Sequence, residues 1–399
     1  MNIALFHNVP SGGAKRAIFE WVKRLAERHT IDVYSLDTAN HEFCDIRSIA
    51  NKHYIYPFKT HNLFNSPFGR LNRIVYWRNL RKLNIIHRNI AKDIDNRHYD
   101  IIFANTCIFT FIPIFLNYSI TPSIYYLHEP FGKNFVRKIK RPYLKNSNWG
   151  KLINRYDPFI KLHERYLLTL QENSLTKPRM VLSNSEFTLK NIELLLQSKS
   201  ALCHLGVDLA AFKPIEGIQK ENFILSVGEM TARKGFDFII KSMSYIPKEK
   251  RPSLKIASNL VNLQEKEFIQ GLVNSYEIEL ELLINVNLKD MRLLYNRARL
   301  CVYTPYLEPF GLVPLEAMAC RTPVIGINEG GIPESIINEK TGLLVERNPQ
   351  KFGEAISSLL DKPDLAKIYG ENAREYVEQN WTWDASTDTL ESFLEKAIK

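Results

Sequence analysis

Short apolar runs alternate with amphipathic helical patterns along most of the chain. The runs NIALFHN (2–8) and TIDVYSL (30–36) are typical of buried strands, and AKRAIFEWVKRLAERH (14–29) between them has helical spacing. Further strands are predicted at 100–106, 123–129, 179–185 and 201–206. Strands that alternate with helices in this way indicate βαβ units and parallel sheets, and therefore an α/β fold.

The alternation is interrupted at GVDLAAFKP (206–214), a connector bounded by Gly and Pro. A second series of strands begins beyond it with NFILSVG (222–228). Since 399 residues exceed what one hydrophobic core usually covers, we predict two doubly wound domains, residues 1–206 and 207–383. A last helix, 384–399, with its first residue as N-cap, is expected to cross back onto the first domain.

Composition places the chain among globular proteins, with 45% apolar and 24% charged residues. The five cysteines are scattered without a CxxC pair, so neither a disulfide framework nor a structural zinc site is expected. The first apolar run has no basic segment before it and predicts a strand rather than a signal peptide. These features favour a cytoplasmic location.

The most apolar stretch, 101–116, is interrupted by polar residues and by Pro113. It falls short of the ~20 apolar residues that span a bilayer. A buried strand that enters a helix is therefore predicted, and a segment that dips into a membrane is the alternative.

Charge is divided unevenly between the two halves of the chain. Residues 1–200 carry 30 Lys and Arg against 15 Asp and Glu, whereas residues 201–399 carry 23 against 28. The positive charge is concentrated at 70–92, a predicted basic amphipathic helix, and at 133–145, where Phe135 and Tyr143 lie among the cations. An ordinary solvated helix face is one explanation, and attraction to an anionic membrane surface is the other. Nucleic acid is not expected as a partner because no binding motif accompanies the charge.

Ligands of doubly wound folds bind outside the carboxyl ends of the strands, so candidate residues should directly follow strands. Gly12 and Gly13 lie between the first strand and the first helix, where backbone amides can approach an anion. A simple tight turn explains this Gly pair equally well. Arg233 and Lys234 follow the first strand of the second domain and suit a diphosphate, although surface Arg-Lys pairs are common.

The segment EPFGLVPLE (308–316) carries two carboxylates at a fixed spacing between a strand and a helix. Glu308 is expected at the tip of the loop, and Glu316 in the first helical turn, where it can accept hydrogen bonds from a ribose diol. The backbone amides of the intervening residues can face an anion at the helix start; these residues are Phe310, Gly311, Leu312 and Val313. A glutamate that only complements the helix dipole is the structural alternative.

Glu308 and Glu316 match the E-x7-E signature, and the chain thereby resembles the retaining glycosyltransferases of family 4, which have the GT-B fold. Supporting matches are the Gly12-Gly13 loop, SNSEFT near residue 183, GVDLAAFKP, Lys234-Gly235, GGIPE and TGLLV. The resemblance implies a nucleotide-sugar donor, with Lys234 and Arg233 on the diphosphate, Glu316 on ribose and Glu308 on the sugar.

The resemblance also implies that His128, in YYLHEP, contacts the transferred sugar from the first domain. From the residues alone, a satisfied polar group at a strand end is the simpler interpretation. One departure is Glu229, which stands where the family usually has an arginine, so Arg233 is expected to compensate.

We therefore expect a retaining, metal-independent glycosyltransferase with no further cofactor. Its acceptor is expected to be a glycan or a lipid-linked glycan, on the first domain, at the inner face of a membrane. A GT-B phosphorylase or epimerase, or a non-catalytic nucleotide-sugar-binding protein, remains the alternative.

Overall fold

The structure is a computed structural model that describes residues 1–61, 63, 72–129, 139–144, 157–193 and 200–399. Within the described residues, two parallel β-sheets each lie between layers of helices. The predicted two-sheet α/β architecture is thus confirmed.

Seven described strands form the first sheet in the order β3-β2-β1-β4-β5-β6-β7, with parallel pairing throughout. Its central strands are buried on both faces, as expected for parallel strands covered by helices. The strands are β1 (Asn2–Asn8), β2 (Thr30–Leu36), β3 (Lys52–Tyr56), β4 (Ile101–Cys107), β5 (Ser123–Leu127), β6 (Met180–Ser183) and β7 (Ser200–Leu202).

The second sheet has six described strands in the order β10-β9-β8-β11-β12-β13, also parallel. The order reverses direction between β8 and β11, where doubly wound sheets open a crevice for ligands. The strands are β8 (Glu221–Val227), β9 (Ser253–Ser258), β10 (Leu280–Ile284), β11 (Ala298–Tyr303), β12 (Val324–Ile327) and β13 (Gly342–Val345).

Helices cover both sheets. In α1, Ile18, Trp21, Val22 and Leu25 recur at helical spacing and are completely buried, which fixes the face that this helix turns to the first sheet. The described helices are α1 (Gly13–Leu25), α2 (Asn72–Asn96), α3 (Pro158–Leu175), α4 (Glu186–Glu193), α5 (Phe236–Met243), α6 (Leu263–Tyr276), α7 (Leu288–Arg297), α8 (Leu312–Ala319), α9 (Ile332–Ser335), α10 (Pro349–Leu360), α11 (Pro363–Asn380) and α12 (Trp383–Ile398).

The last helix, α12, packs against α1, β4 and β5 of the first sheet. Trp383 and Trp21 meet edge to face with ring centroids 6.0 Å apart, and the Trp21 indole donates to Ser386 Oγ at 3.0 Å. The predicted N-cap is wrong, because Thr382 caps the helix by accepting from the Ala385 amide. Asp384 lies in the first turn and pairs with Arg24.

The connector between the sheets runs from the end of β7 to the start of β8, and the predicted division after residue 206 falls within it. The bounds of the two domains stay a prediction. No described helix is long and apolar enough to cross a bilayer, and the apolar stretch 101–116 contains β4 and the start of a 3₁₀-helix, Ile114–Asn117.

Candidate active site

The candidate residues collect where the carboxyl ends of β1 and β5 face those of β8 and β11. Ala232–Lys234 form a short 3₁₀-helix after β8, and Gly235 follows with a left-handed φ of +71°. A Cβ atom at this position would lie 2.3 Å from the Thr304 carbonyl oxygen, so only glycine fits. This close approach sets the cation-bearing loop directly against the loop that leaves β11.

Glu308 lies beneath these cations and is 9% exposed. The Lys234 ammonium donates to both of its carboxylate oxygens, at 3.1 and 3.0 Å, and an Arg233 nitrogen lies 4.0 Å from the carboxylate. Burial alone would raise the pKa of Glu308, but the charges of Lys234 and Arg233 outweigh burial and hold that pKa below its usual range. Glu308 is therefore an ionised, oriented carboxylate rather than a solvated loop tip.

Arg233 also reaches the first domain. Its guanidinium lies 3.2 and 3.4 Å from the two carboxylate oxygens of Glu129, in the loop after β5. Both side chains are more than 40% exposed, so the pair contributes little stability and can exchange partners readily. Since Glu129 adjoins His128, the pair joins the first domain's candidate residue to the second domain's cations.

His128 is 6% exposed and directly follows β5, beside the aromatic rings of Tyr126 and Trp21. Its Nε2 lies 3.1 Å from the Asn105 side-chain oxygen, and its carbonyl accepts from the Asn184 amide. Burial lowers the pKa of His128 to about 3. The imidazole is thus neutral at physiological pH and can exchange hydrogen bonds without carrying charge.

Glu316 is 6% exposed and its carboxylate is held from both domains. The Arg16 guanidinium, from the first turn of α1, pairs with Oε1, while the Tyr295 hydroxyl donates to Oε2 at 2.7 Å. Glu316 lies in the second turn of α8, not the first as predicted, because this helix begins at Leu312. An ionised carboxylate can accept about four hydrogen bonds, so it can accept about two more in addition to those from Arg16 and Tyr295.

The glycine pair of the first domain meets the same helix. A Cβ atom on Gly13 would lie 3.6 Å from Leu312 Cδ1, at the start of α8. Gly12 precedes α1, while Gly311 precedes α8, so two helix N-termini lie across from each other. Phe310 is buried and packs on Trp381, with ring centroids 5.4 Å apart, which anchors the loop.

The second basic stretch does not form the expected open cationic surface where it is described. Arg141 is 8% exposed and inserts between Asp237 and Glu265 of the second domain, each contacted at 2.9 Å. Tyr143 donates to the same Glu265. Tyr143 thus contacts the second domain, and its place at a lipid headgroup boundary stays a prediction. Residues 133–138 and 145, which include Phe135, lie outside the described residues.

Residues that sequence reasoning missed complete the site. Arg16 follows the glycine pair by three positions, but no spacing rule connects it with a glutamate 300 residues away. Tyr295, Glu129 and Asn105 likewise carry no motif. In the part of the chain that the structure describes, no group of three or more His, Cys, Asp or Glu is arranged to hold a metal ion.

The whole fold is shared with solved structures. HepE from Anabaena, solved in complex with UDP-glucose, matches 99% of this chain and 100% of its own, with a TM-score of 0.73 and 15% identity. At this identity the likeness shows the fold alone, which is GT-B.

Curated relatives match over part of their length. Alpha-1,3/1,6-mannosyltransferase ALG2 of Rhizomucor pusillus is 25% identical over 268 residues, 64% of this chain and 52% of its own. ALG2 of Mus musculus is 42% identical over 100 residues, 25% of this chain and 24% of its own. The matches thus span between about a quarter and half of these relatives.

Family models cover nearly the whole chain. The model of Glycosyltransferase Family 4 matches residues 11–211, and that of Glycosyl transferases group 1 matches residues 210–376. The resemblance inferred from Glu308 and Glu316 is therefore confirmed, and the chain belongs to glycosyltransferase family 4.

Proposed function

We propose that the protein is a retaining glycosyltransferase that transfers one sugar from a nucleoside diphosphate sugar to an acceptor hydroxyl without a metal ion. The observation that carries this proposal is the group formed by Lys234, Arg233 and Glu308. It presents two cations and one ionised carboxylate at the carboxyl end of the second sheet. Such a group suits a diphosphate leaving group bonded to a hydroxylated sugar.

The donor nucleotide is proposed to bind mainly to the second domain. Glu316 has acceptor capacity left for a ribose diol, and the amides of residues 310–313 surround the start of α8. Arg233 is proposed to leave Glu129 for the diphosphate, because a half-exposed ion pair is weaker than a guanidinium bound to a phosphate. Gly12 and Gly13 admit the diphosphate from the other side of the cleft.

The chemical step follows from charge. The bond between the anomeric carbon and the diphosphate oxygen breaks, and negative charge accumulates on the departing diphosphate beside Lys234. The acceptor oxygen bonds to the same face of that carbon, and its proton passes to a diphosphate oxygen. Glu308 orients the sugar hydroxyls, and the neutral His128 is proposed to contact the sugar from the first domain. Catalysis rests on positioning and on preorganised charge.

The acceptor is proposed to be a glycan at a membrane surface, and α2 supports this. Ile74 and Ile85 are 59% and 61% exposed on this helix. Arg78 and Arg81 lie between them and are also exposed. The four residues follow one another at spacings of four, three and four positions, which places them on one face of the helix. Isoleucines among arginines on one helix face suit the headgroup boundary of an anionic bilayer.

The test begins with a panel of UDP, GDP and ADP sugars in a thermal-shift assay, because a bound donor raises the melting temperature by mass action. The stabilising donor, labelled in its sugar, is then incubated with membranes that supply the acceptor. Transfer of label, with the donor's anomeric configuration kept in the product, is expected. Label released only into sugar phosphate or free sugar would indicate a phosphorylase, an epimerase or a hydrolase instead. Binding without turnover would indicate a nucleotide-sugar-binding protein.

A further inference from the structure

We infer that Arg347, in the loop after β13, is a positioning residue that holds the two loops carrying Glu308 and Lys234 in their working arrangement. This inference rests on the proposed function. Arg347 does not face the cleft and lies outside the E-x7-E motif and the glycine-rich turns. Its side chain is 10% exposed, so the guanidinium is held within the domain rather than in solvent.

The Arg347 guanidinium has three acceptors. Nε donates to Glu329 at 2.8 Å, and the two terminal nitrogens donate to successive backbone carbonyls, those of Thr304 at 3.1 Å and Pro305 at 2.7 Å. The guanidinium also lies 3.9 Å from the centroid of the Tyr306 ring. The planar fork of arginine can make these contacts together, whereas a lysine ammonium cannot.

The loop that Arg347 holds is strained and needs support. Leu307, directly before Glu308, adopts a left-handed φ of +48°, which is rare for residues other than glycine. A Cβ atom on Gly330 would lie 2.4 Å from the Glu308 carbonyl oxygen, so the strand-to-helix turn after β12 packs directly against the backbone of this loop. Glu329 directly precedes Gly330, so Arg347 binds both the loop and the turn that supports it.

The same loop fixes the cations. The Tyr306 amide donates to the Arg233 carbonyl at 2.8 Å, and the Thr304 hydroxyl donates to the Gly235 carbonyl at 3.1 Å. Residues 304–306 thus lie between Arg347 and the backbone of the cation loop, while Glu308 binds Lys234 directly. Loss of the fork would let the carboxylate and both cations shift together. Glu316, on α8, has separate supports in Arg16 and Tyr295.

The test compares turnover with donor affinity in R347M and R347K. We expect both variants to lower kcat about a hundredfold, as displacements near 1 Å do, with less than a threefold change in donor Kd by calorimetry. R347K should fail to restore kcat, because the fork and not the charge is needed. R251M is the matched control, since Arg251 also donates to several backbone carbonyls of the second domain. It should lower the melting temperature and leave kcat unchanged.

Wild-type turnover is measured first, and its absence with every donor would contradict the proposed function itself. A folded R347M with wild-type kcat, a full rescue by R347K, or a loss of kcat matched in R251M would overturn the role of Arg347 alone. Should R347M fail to fold, E329Q decides. This variant weakens one of the three contacts, and an unchanged kcat there would likewise overturn the inference.

Discussion

The guanidinium of Arg16 and the carboxylate of Glu316 form an ion pair across the cleft, although 300 positions separate them in the chain. The negative charge of Glu316 is the largest cause of a raised pKa at Arg16. The second glutamate of the family motif is therefore tied to the first domain through Arg16 and to its own domain through Tyr295. A nucleotide bound at Glu316 would contact both domains.

Removal of the Lys234 charge should lower turnover more than donor affinity, because negative charge on the diphosphate grows as the glycosidic bond breaks. In K234A we expect kcat at saturating donor to fall about 100-fold or more, with a smaller change in donor Kd. R233A should act in the same direction. K266A, at an exposed lysine on α6, is the control. An unchanged kcat in K234A would contradict a role for Lys234 in stabilising the leaving group.

The same substitution has a consequence for acid stability. The depressed pKa of Glu308 contributes stability that is present above the unfolded pKa and is lost as the pH falls through the folded pKa. Without Lys234, burial dominates and the pKa of Glu308 rises. The acid destabilisation that Glu308 contributes is then reduced or reversed, so urea unfolding of K234A should show a smaller loss of stability than the wild type as the pH falls through the range in which carboxylates titrate. Parallel pH curves for the two proteins would contradict this assignment.

Buried histidines should make the fold sensitive to mild acid. Burial lowers the pKa of His87 and of His128 to about 3. Below pH 6.5 these imidazoles become protonated in the unfolded chain but stay neutral in the folded protein. The free energy of unfolding therefore decreases as the pH drops from 6.5 towards 3. Each imidazole contributes up to about 1.4 kcal/mol per pH unit. Urea unfolding at pH 7, 6 and 5 measures the slope, which H87N should reduce and H61Q, at an exposed histidine, should not. Constant stability from pH 7 to 5 would disprove it.

Activity should survive excess chelator, because Lys234 and Arg233 supply the positive charge at the diphosphate that a divalent ion supplies elsewhere. Initial rates with and without EDTA, after dialysis, make the comparison. Rates that EDTA abolishes and magnesium or manganese restores would show that these two cations are insufficient.

Charge reversal on α2 should weaken binding to anionic vesicles. Each basic residue near an anionic surface contributes about 1 kcal/mol, so R78E/R81E should lower vesicle affinity at least tenfold. Affinity in wild type should also decrease at high salt. K266E/K289E makes the same change in net charge on the second domain and should have little effect. Vesicle binding that is absent in the wild type, or equal in both double variants, would point to an acceptor in solution.

The strands and helices with strong hydrophobic periodicity could be predicted from the sequence. Long buried runs such as β1 and β4 and the amphipathic α1 follow from local pattern, because one helix face or both strand faces are apolar. β3 (Lys52–Tyr56) and β13 (Gly342–Val345) were not predicted. β3 is a half-buried edge strand of mixed polarity and β13 has four residues, so neither presents a strong period.

The residues of the candidate site fall into two groups, those that a sequence motif predicts and those that only tertiary contacts bring to the site. Glu308, Glu316 and Lys234 follow from a spacing that a family shares, whereas their partners follow from contacts between distant segments. Arg16, Glu129 and Arg347 each meet the site through tertiary packing, and no local pattern encodes such a meeting. The burial of Arg141 between two acids of the other domain was hidden for the same reason, since its stretch of sequence shows only positive charge.

The most direct test of the central claim is calorimetric titration of UDP, GDP and ADP sugars into the wild type and E316Q. Glutamine keeps the size of Glu316 and an acceptor for Tyr295. It removes the negative charge that pairs with Arg16 and that is proposed to accept hydrogen bonds from the ribose diol. We predict that one nucleotide sugar binds the wild type with saturation, and that E316Q, folded by circular dichroism, binds it about 10 to 100 times more weakly. Equal affinity in the two proteins, or no binding of any nucleotide sugar to the wild type, would contradict the account.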